Sequence, residues 1–181
     1  MGRDPGERLI GSRTVFEGRL LSLRVDQVEL PDGRRAEREV VVHPGAAAVV
    51  PVLSDGRVVL IRQYRHAAGA LLWELPAGLL RPGEAPEDCA RRELAEEIGL
   101  APGELATLFS TYLSPGCSTE LIHIFVARDL RPAGAPPEPD EQIEPAAMSL
   151  EEALALIRRG EVQNAAAICG LLAYARWPIS H

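Results

Sequence analysis

The amino-acid sequence predicts an α/β protein, in which a mixed sheet is flanked by helices and preceded by a small antiparallel β annex. Three observations predict this class: strand-like alternation with turn signals at residues 15–42, near-continuous apolar runs at 46–53 and 57–64, and helical spacing of apolar residues at 86–99, 150–160 and 164–176. With 181 residues, 46% of them apolar, the chain can bury one good core. We therefore expect an annex at residues 1–44 and one main domain at residues 45–181.

The annex is predicted from a strand, a turn and a second strand. Leu21, Leu23, Val25 and Val28 alternate with polar residues, and the turn at 31–33 has the sequence Pro-Asp-Gly. Proline presets its φ angle and glycine accepts a positive one, so this tripeptide favours a reversal. Residues 1–12 are charged and contain glycine and proline, and we expect them to be frayed. A sheet of so few short strands is too small to fold alone, so it should pack on the main domain or on a second subunit.

The main domain should begin with a hairpin, because Ser54-Asp55-Gly56 separates two apolar runs. Their near-continuous apolar character predicts strands that are buried on both faces. Residues 66–72 are expected to form a loop, and further strands are expected at 105–111 and 120–127. The proline-rich, acidic segment 131–145 is predicted to be a long loop, a feature that is often functional in a compact domain.

The most informative stretch is the predicted helix that begins at Pro86 and ends at Gly99. Proline suits the first turn of a helix and glycine suits the residue just after its end. Ala90, Leu94 and Ile98 fall on one stripe, at the spacing that buries a helix face. A second stripe is acidic and consists of Glu93, Glu96 and Glu97.

Two interpretations of the acidic stripe stand against each other. Carboxylates spaced three and four residues apart repel one another, so the cluster needs an explanation. Arg92 can pair with Glu96 one turn later, which would make the stripe an ordinary solvated face. Alternatively the stripe binds a hard cation, because Mg²⁺ takes oxygen ligands and commonly uses one or two carboxylates, leaving places for water and substrate phosphates.

Composition excludes several other classes of function. A net charge of −7 and a pI near 5.2 argue against a surface that follows nucleic-acid phosphates. The three cysteines are odd in number and widely spaced, which predicts neither a disulfide framework nor a zinc site. The amino terminus lacks an apolar signal core, and the longest apolar run is too short to cross a bilayer. We expect a soluble protein of the reducing cytoplasm, with no membrane and no nucleic-acid partner.

The full spacing around the helix resembles a known motif. Gly78, five residues, Glu84, seven residues, Arg92-Glu93-Leu94, one residue, Glu96-Glu97, one residue and Gly99-Leu100 match the Nudix box of the Nudix hydrolases at every specified position. Four further stretches resemble the ADP-ribose pyrophosphatases of that superfamily: REVVVHPGA from Arg38, RQYR from Arg62, WELPAG from Trp73 and SPG from Ser114. Together they span most of the chain.

The resemblance implies the Nudix α/β/α sandwich and an activity. Water would attack a phosphorus of ADP-ribose, which would yield AMP and ribose 5-phosphate. The cofactor would be Mg²⁺, with Mn²⁺ as a possible substitute. Glu93 and Glu97 would be metal ligands, helped by the backbone carbonyl of Ala77, and Glu96 would be a further ligand or would hold the ligand geometry.

The family pattern also implies a general base, two substrate-binding arginines and a dimer. The base would come from the acidic loop, with Glu141 favoured by register and Asp140 next; the loop also offers Glu138 and Glu144. Arg38 and Arg65 match positions that reach the phosphates or the terminal ribose of the substrate. The family pattern implies a homodimer in which the amino-terminal strands are exchanged, so that Arg38 would act across a subunit boundary.

Two alternative functions are consistent with the same residues. One is a Nudix pyrophosphatase for another nucleoside diphosphate sugar or for a dinucleotide such as NADH. The other is a module that senses a nucleotide without cleaving it, although such modules usually lose carboxylates of the box and this chain keeps them all.

Overall fold

The computed structural model describes residues 6–134 and 142–177. The chain divides into two compact units. The first consists of Met1–Gly45 together with Tyr112–Leu121, and the second of Ala46–Thr111 together with Ile122–His181.

The first unit contains an antiparallel sheet with the strand order β1-β2-β3. Its strands are β1 (Arg8–Glu17), β2 (Ser22–Glu29) and β3 (Arg35–Val42). The predicted turn between the last two strands is confirmed, because Gly33 has a φ of 83° and its N–H donates to the Leu30 carbonyl at 2.9 Å. A parallel bridge between Val41 and Ser118 brings the later segment into this unit.

The expectation that residues 1–12 are frayed is wrong from Arg8 onward. Arg8 is paired with Glu29 and Ser12 with Asp26, so the first strand runs for 10 residues. The sequence pattern missed it because β1 is exposed along most of its length and lacks an apolar alternation. Backbone pairing with β2, rather than burial of side chains, holds this edge strand in place.

The remaining elements follow in chain order. They are β4 (Ala46–Pro51), β5 (Val58–Arg65), β6 (Ala70–Glu74), β7 (Ala77–Leu79), α1 (Pro86–Ile98), β8 (Leu100–Ala101), β9 (Glu104–Tyr112), β10 (Leu121–Arg128), β11 (Arg131–Pro132), β12 (Ile143–Met148), α2 (Leu150–Arg158) and α3 (Ala165–Arg176). The short strands β8 and β11 pair with each other.

The central sheet of the second unit has the order β7-β4-β10-β9. It is mixed, because β4 is parallel to β10 and antiparallel to β7. On one face, Val49 and Phe125 pack with Leu94 of α1 in a fully buried cluster. On the other face, α3 comes close at Gly170, where a Cβ atom would lie 2.7 Å from a methyl of Leu75 and 3.3 Å from one of Val50. The sheet thus lies between two helices, which confirms the predicted fold class.

A second sheet has the order β12-β5-β6 and is antiparallel. The predicted hairpin of β4 and β5 is therefore wrong in its pairing. The turn at Ser54-Asp55-Gly56 exists, and the Leu53 N–H donates to the Arg57 carbonyl at 2.8 Å. Beyond the bridge between Val52 and Val58, however, the two segments diverge into different sheets. Apolar runs of similar character do not specify their partners, and contacts with β10 and β12, which are distant in sequence, decide the pairing.

The segment 131–145, predicted to be one long loop, is wrong at both ends, because β11 occupies Arg131–Pro132 and β12 begins at Ile143. The helices lie close to their predicted positions. The loop expected at 66–72 is shorter, because β6 already begins at Ala70. Helices α2 and α3 are confirmed. The side chain of Ser149 caps α2 by accepting a hydrogen bond from the Glu152 N–H at 3.1 Å, and that of Asn164 caps α3 by accepting one from the Ala167 N–H at 3.0 Å. Among the described residues, the structure holds no helix of the length and apolar character that a membrane crossing requires.

Candidate active site

The helix α1 forms as the sequence predicts. Pro86 lies in its first turn, and Gly99 ends it in the left-handed conformation with a φ of 68°. Ala90 and Leu94 are fully buried against the central sheet, and Ile98 packs against the same cluster. Burial of this apolar stripe fixes the rotation of the helix about its axis, and that rotation decides where the acidic stripe lies.

The acidic stripe of α1 lies against strand β7. Gly78 permits this contact, since a Cβ atom there would lie 1.9 Å from Oε1 of Glu93. One turn further along the helix, Oε2 of Glu97 accepts a hydrogen bond from the Ala77 backbone N–H at 2.9 Å. The structure therefore brings Ala77, Gly78, Glu93 and Glu97 together. The hydrogen bond between Ala77 and Glu97 uses the peptide N–H of Ala77, whereas the expected metal ligand is its carbonyl.

Arg92 holds the acidic residues in position. Its Nε and Nη2 atoms donate to the two carboxylate oxygens of Glu84 at 2.8 and 3.0 Å, and its Nη1 donates to Glu96 at 3.0 Å and also to Glu93. Nη2 also donates to the Leu79 carbonyl at 3.0 Å. The hydrogen bonds from Arg92 lower the pKa of Glu84 to about 2, and the same bonds raise the pKa of Arg92. Arg92 thus makes the expected pair with Glu96 and, in addition, ties the helix to the preceding loop.

The interpretation of the stripe as an ordinary solvated face is wrong for two of its members. Glu93 and Glu97 are only 8% and 7% exposed. Burial of a carboxylate costs free energy unless it is paired or binds a cation. The Arg92 network compensates for part of this negative charge, and the excess of carboxylates over arginines makes the site suitable for a cation.

The donor atoms fit a hard divalent cation. Carboxylate oxygens and a peptide carbonyl are the ligand type that such ions prefer. Within the described parts of the chain, however, no three carboxylate, imidazole or thiol side chains converge closely enough to hold a metal ion unaided. A Mg²⁺ site does not require this convergence, because Mg²⁺ commonly uses one or two carboxylates together with water and substrate phosphates.

Arg65 lies at the end of β5 and forms a bidentate pair with Glu74. Its Nε and Nη2 atoms donate to the two carboxylate oxygens at 3.0 and 2.7 Å. The side chain of Glu74 is 3% exposed, whereas that of Arg65 is 42% exposed. Arg65 therefore belongs to the same unit as the acidic stripe, with its fork oriented by a buried carboxylate.

Arg38 belongs to the first unit and lies on β3. Its guanidinium forms a bidentate ion pair with the carboxylate of Glu7: Nε donates to one oxygen at 3.0 Å and Nη2 donates to the other. This hydrogen bonding raises the pKa of Arg38. Arg38 is about half exposed, with 43% of its side chain accessible.

The expected general base, Glu141, lies outside the described residues, as do its alternatives Asp140 and Glu138. Glu144, the remaining carboxylate of the same segment, is described. It is exposed on β12 and is paired in register with Arg62 of β5.

Two residues of this region were not singled out from the sequence. One is Glu74, which contacts Arg65 through their side chains, whereas the strand register places Glu74 opposite Ile61 and Arg65 opposite Ala70. The spacing of residues along the sequence does not indicate this pair. Arg81 lies in the loop before α1, where Nη2 is 3.5 Å from Oε1 of Glu96. No pattern in the sequence indicates its position, because the loop conformation decides it.

Comparison with known families matches nearly the whole chain. The family model of the NUDIX domain matches residues 42–168. The model of the nucleoside diphosphate sugar hydrolase N-terminal domain matches residues 7–41.

Individual proteins are similar over most of their length. The ADP-ribose pyrophosphatase of Bacillus subtilis (strain 168) is 38% identical over 88% of this chain and 87% of its own. The ADP-ribose pyrophosphatase of Mycobacterium tuberculosis is 41% identical over 91% of this chain and 81% of its own. The GDP-mannose pyrophosphatase of an Enterobacter species is 40% identical over 74% of this chain and 75% of its own. A solved structure of an ADP compounds hydrolase superposes with a TM-score of 0.84 at 25% identity, covering 94% of this chain and 93% of that one.

Proposed function

This chain belongs to the Nudix hydrolase family, and we propose that it hydrolyses the diphosphate of ADP-ribose to AMP and ribose 5-phosphate. The oxygen of one water molecule forms a new bond to phosphorus while the bridging P–O bond breaks. Of the two products, one gains a hydroxyl group and the other a proton. The observation that carries the proposal is the burial of Glu93 and Glu97 against Ala77 and Gly78, inside a complete Nudix box.

We propose that the cofactor is Mg²⁺, with Mn²⁺ able to replace it. Glu93, Glu97 and the Ala77 carbonyl would hold the ion, and Glu96 would be a further ligand or would keep the other two in place. A bound divalent ion lowers the pKa of its water and stabilises the charge that develops on phosphate oxygens. Arg92 keeps these carboxylates oriented, and its hydrogen bonds to Glu93 and Glu96 support this role.

Proton removal from the attacking water is assigned to the acidic segment 138–144, and Glu141 is the favoured base. Asp140 and Glu144 are the alternatives. Turnover is to be compared among the variants Glu141→Gln, Asp140→Asn and Glu144→Gln. We expect kcat to fall in Glu141→Gln and to stay near the wild-type value in the other two variants. A near-normal kcat in Glu141→Gln would instead assign the base to the residue whose variant has a lowered kcat.

Substrate phosphates are proposed to bind Arg65, whose bidentate contact with Glu74 fixes the direction of its guanidinium. Orienting the guanidinium in advance reduces the entropy lost when it binds an anion. Arg38 is proposed to bind the substrate from a second subunit, in a homodimer that exchanges residues 1–44 while residues 45–181 form the Nudix domain. A cytoplasmic location is part of the same proposal.

One alternative substrate class has a specific observation in its favour. The similarity to a GDP-mannose pyrophosphatase supports a related diphosphate sugar as substrate. In both substrates the bond broken joins two phosphates, so the acidic stripe would serve either. The groups that contact the base and the sugar would decide between them.

The experiment is release of nucleoside monophosphate, measured with and without Mg²⁺, from ADP-ribose, GDP-mannose, NADH and a diadenosine polyphosphate. Mg²⁺-dependent cleavage with the highest kcat/KM for ADP-ribose is the expected result. A higher kcat/KM for another compound refutes the substrate assignment and leaves the chemistry standing. Failure to cleave any of them refutes the hydrolase proposal and favours a nucleotide-sensing module, to be tested by nucleotide binding.

A further inference from the structure

The loop between β7 and α1 carries an arginine, Arg81, whose backbone forms two hydrogen bonds with Glu84. The N–H of Arg81 donates to Oε2 of Glu84 at 2.8 Å, and the Glu84 N–H donates back to the Arg81 carbonyl at 2.9 Å. Glu84 is itself held by two hydrogen bonds from Arg92. The position from which the Arg81 side chain extends is therefore tied to the same arginine that orients the acidic stripe.

The side chain of Arg81 reaches the outer side of that stripe. Glu96 presents one oxygen, Oε2, to Arg92 at 3.0 Å, and the other, Oε1, to Nη2 of Arg81 at 3.5 Å. The two arginines differ in environment, since the side chain of Arg81 is 57% exposed and that of Arg92 is 16% exposed. An exposed ion pair at this separation contributes little stability, so Arg81 can exchange one anionic partner for another.

We propose that Arg81 is a further substrate-binding residue of this site, one that shares Glu96 with the divalent ion and donates to the diphosphate oxygens. This inference rests on the proposed function. A divalent ion on the acidic stripe places two positive charges near the guanidinium and weakens its attraction to Glu96. The diphosphate of a substrate that contacts the same ion brings anionic oxygens to the same place, and a guanidinium fork matches phosphate oxygens well.

Arg81 and Arg65 belong to different elements of the same unit. Two nitrogens of Arg65, on β5, donate to the buried carboxylate of Glu74. Arg81 extends from the loop that precedes α1 and lies beside the stripe itself. A diphosphate carries several anionic oxygens, and two arginines from different elements can bind different ones.

The test uses Arg81→Ala and Arg81→Lys, with Arg91→Ala as the matched control. Arg91 lies on the exposed side of α1 and donates to the Pro102 carbonyl at 3.1 Å, so its removal changes the net charge equally but away from the stripe. Two quantities are measured: the Kd for Mn²⁺ without nucleotide, by calorimetry, and the KM and kcat for ADP-ribose at saturating Mg²⁺.

Arg81→Ala is expected to bind Mn²⁺ about threefold to tenfold more tightly than the wild type, because a unit charge near a divalent ion is removed. Its KM is expected to rise about tenfold, as for loss of one charged contact, while kcat stays within about threefold. Arg81→Lys retains the charge without the fork, so Mn²⁺ affinity should stay near the wild-type value while KM rises. Arg91→Ala should change neither quantity.

A KM for Arg81→Ala within about twofold of the wild type overturns the proposal, as does a Mn²⁺ affinity that matches that of Arg91→Ala. A failure of the proposed hydrolase function would give a different result in the same measurements. If the wild type itself binds no Mn²⁺, or if Glu97→Gln binds it equally well, the metal site is refuted and the role of Arg81 falls with it.

Discussion

The contact between Gly78 and Glu93 can be tested with one added methyl group. In Gly78→Ala the new Cβ would lie 1.9 Å from Oε1, 2.1 Å from Cδ and 2.6 Å from Oε2 of Glu93. Real Cβ contacts are essentially never shorter than 3.0 Å, so the carboxylate must move by about 1 Å or more. Gly78 is not among the residues with positive φ, so the substitution changes the available space and leaves the backbone unstrained.

The displaced carboxylate has few places to go. Glu93 is 8% exposed and accepts a hydrogen bond from Arg92, so a shift disturbs the Arg92 network as well. Misplacing a catalytic group by 1 Å can cost about a hundredfold in rate. Overpacking in a buried place costs about 1–3 kcal/mol of stability. We expect kcat to fall by about two orders of magnitude, Mn²⁺ to bind more weakly, and the folded state to persist.

The assay measures kcat for AMP release from ADP-ribose, the Kd for Mn²⁺ and the melting temperature of the same preparations. Gly11→Ala is the control, because a Cβ there meets nothing closer than 3.7 Å. Wild-type kcat and Mn²⁺ affinity in Gly78→Ala would refute the idea that Glu93 must lie on Gly78. A variant that unfolds can be replaced by Glu93→Gln, which tests the carboxylate without the added volume.

Three further predictions concern other groups of the same region. Glu97→Gln should lower kcat by orders of magnitude with little change in melting temperature, since the amide oxygen can still accept from Ala77; a fully active variant contradicts its role as a metal ligand. Glu84 has its pKa lowered to about 2 by Arg92, so its contribution to stability is present above about pH 4.5 and is lost as the pH falls towards 2. Denaturant unfolding should show Glu84→Gln to be less stable than the wild type at pH 7, by on the order of 3 kcal/mol, with the difference vanishing near pH 2; a constant difference refutes the linkage. Burial raises the pKa of the Cys89 thiol to about 12, so a thiol reagent at pH 8 should modify the exposed Cys117 and Cys169 quickly and Cys89 only after unfolding; three equally fast thiols would contradict this.

The sequence alone predicted the helix of the candidate site closely. Proline at its start, glycine at its end and an apolar stripe between them are local signals, and the structure contains α1 at Pro86–Ile98. The helical repeat alone places Glu93, Glu96 and Glu97 on one face of α1, without any tertiary information. The match to the Nudix box is of the same kind, because it depends only on residue types and spacing.

The sequence could not decide which carboxylates are buried. A stripe of glutamates beside an arginine is equally consistent with a solvated face, and only the packing of α1 against β7 buries Glu93 and Glu97 while leaving Glu96 between two arginines. The same holds for the pairing of Arg65 with Glu74, which requires β6 to return alongside β5.

Strand partners were likewise decided by the tertiary structure. Both β4 and β5 are apolar runs that flank a good turn, yet β4 joins β10 and β7 while β5 joins β12 and β6. Local sequence specifies the turn, whereas the choice of partner depends on segments more than sixty residues away, such as β10 and β12. Local sequence therefore specifies the helices, the strands and the functional side chains that they carry. Burial, strand pairing and the close approach at Gly78 depend on contacts between residues that are distant along the chain, so they are established only when the chain folds.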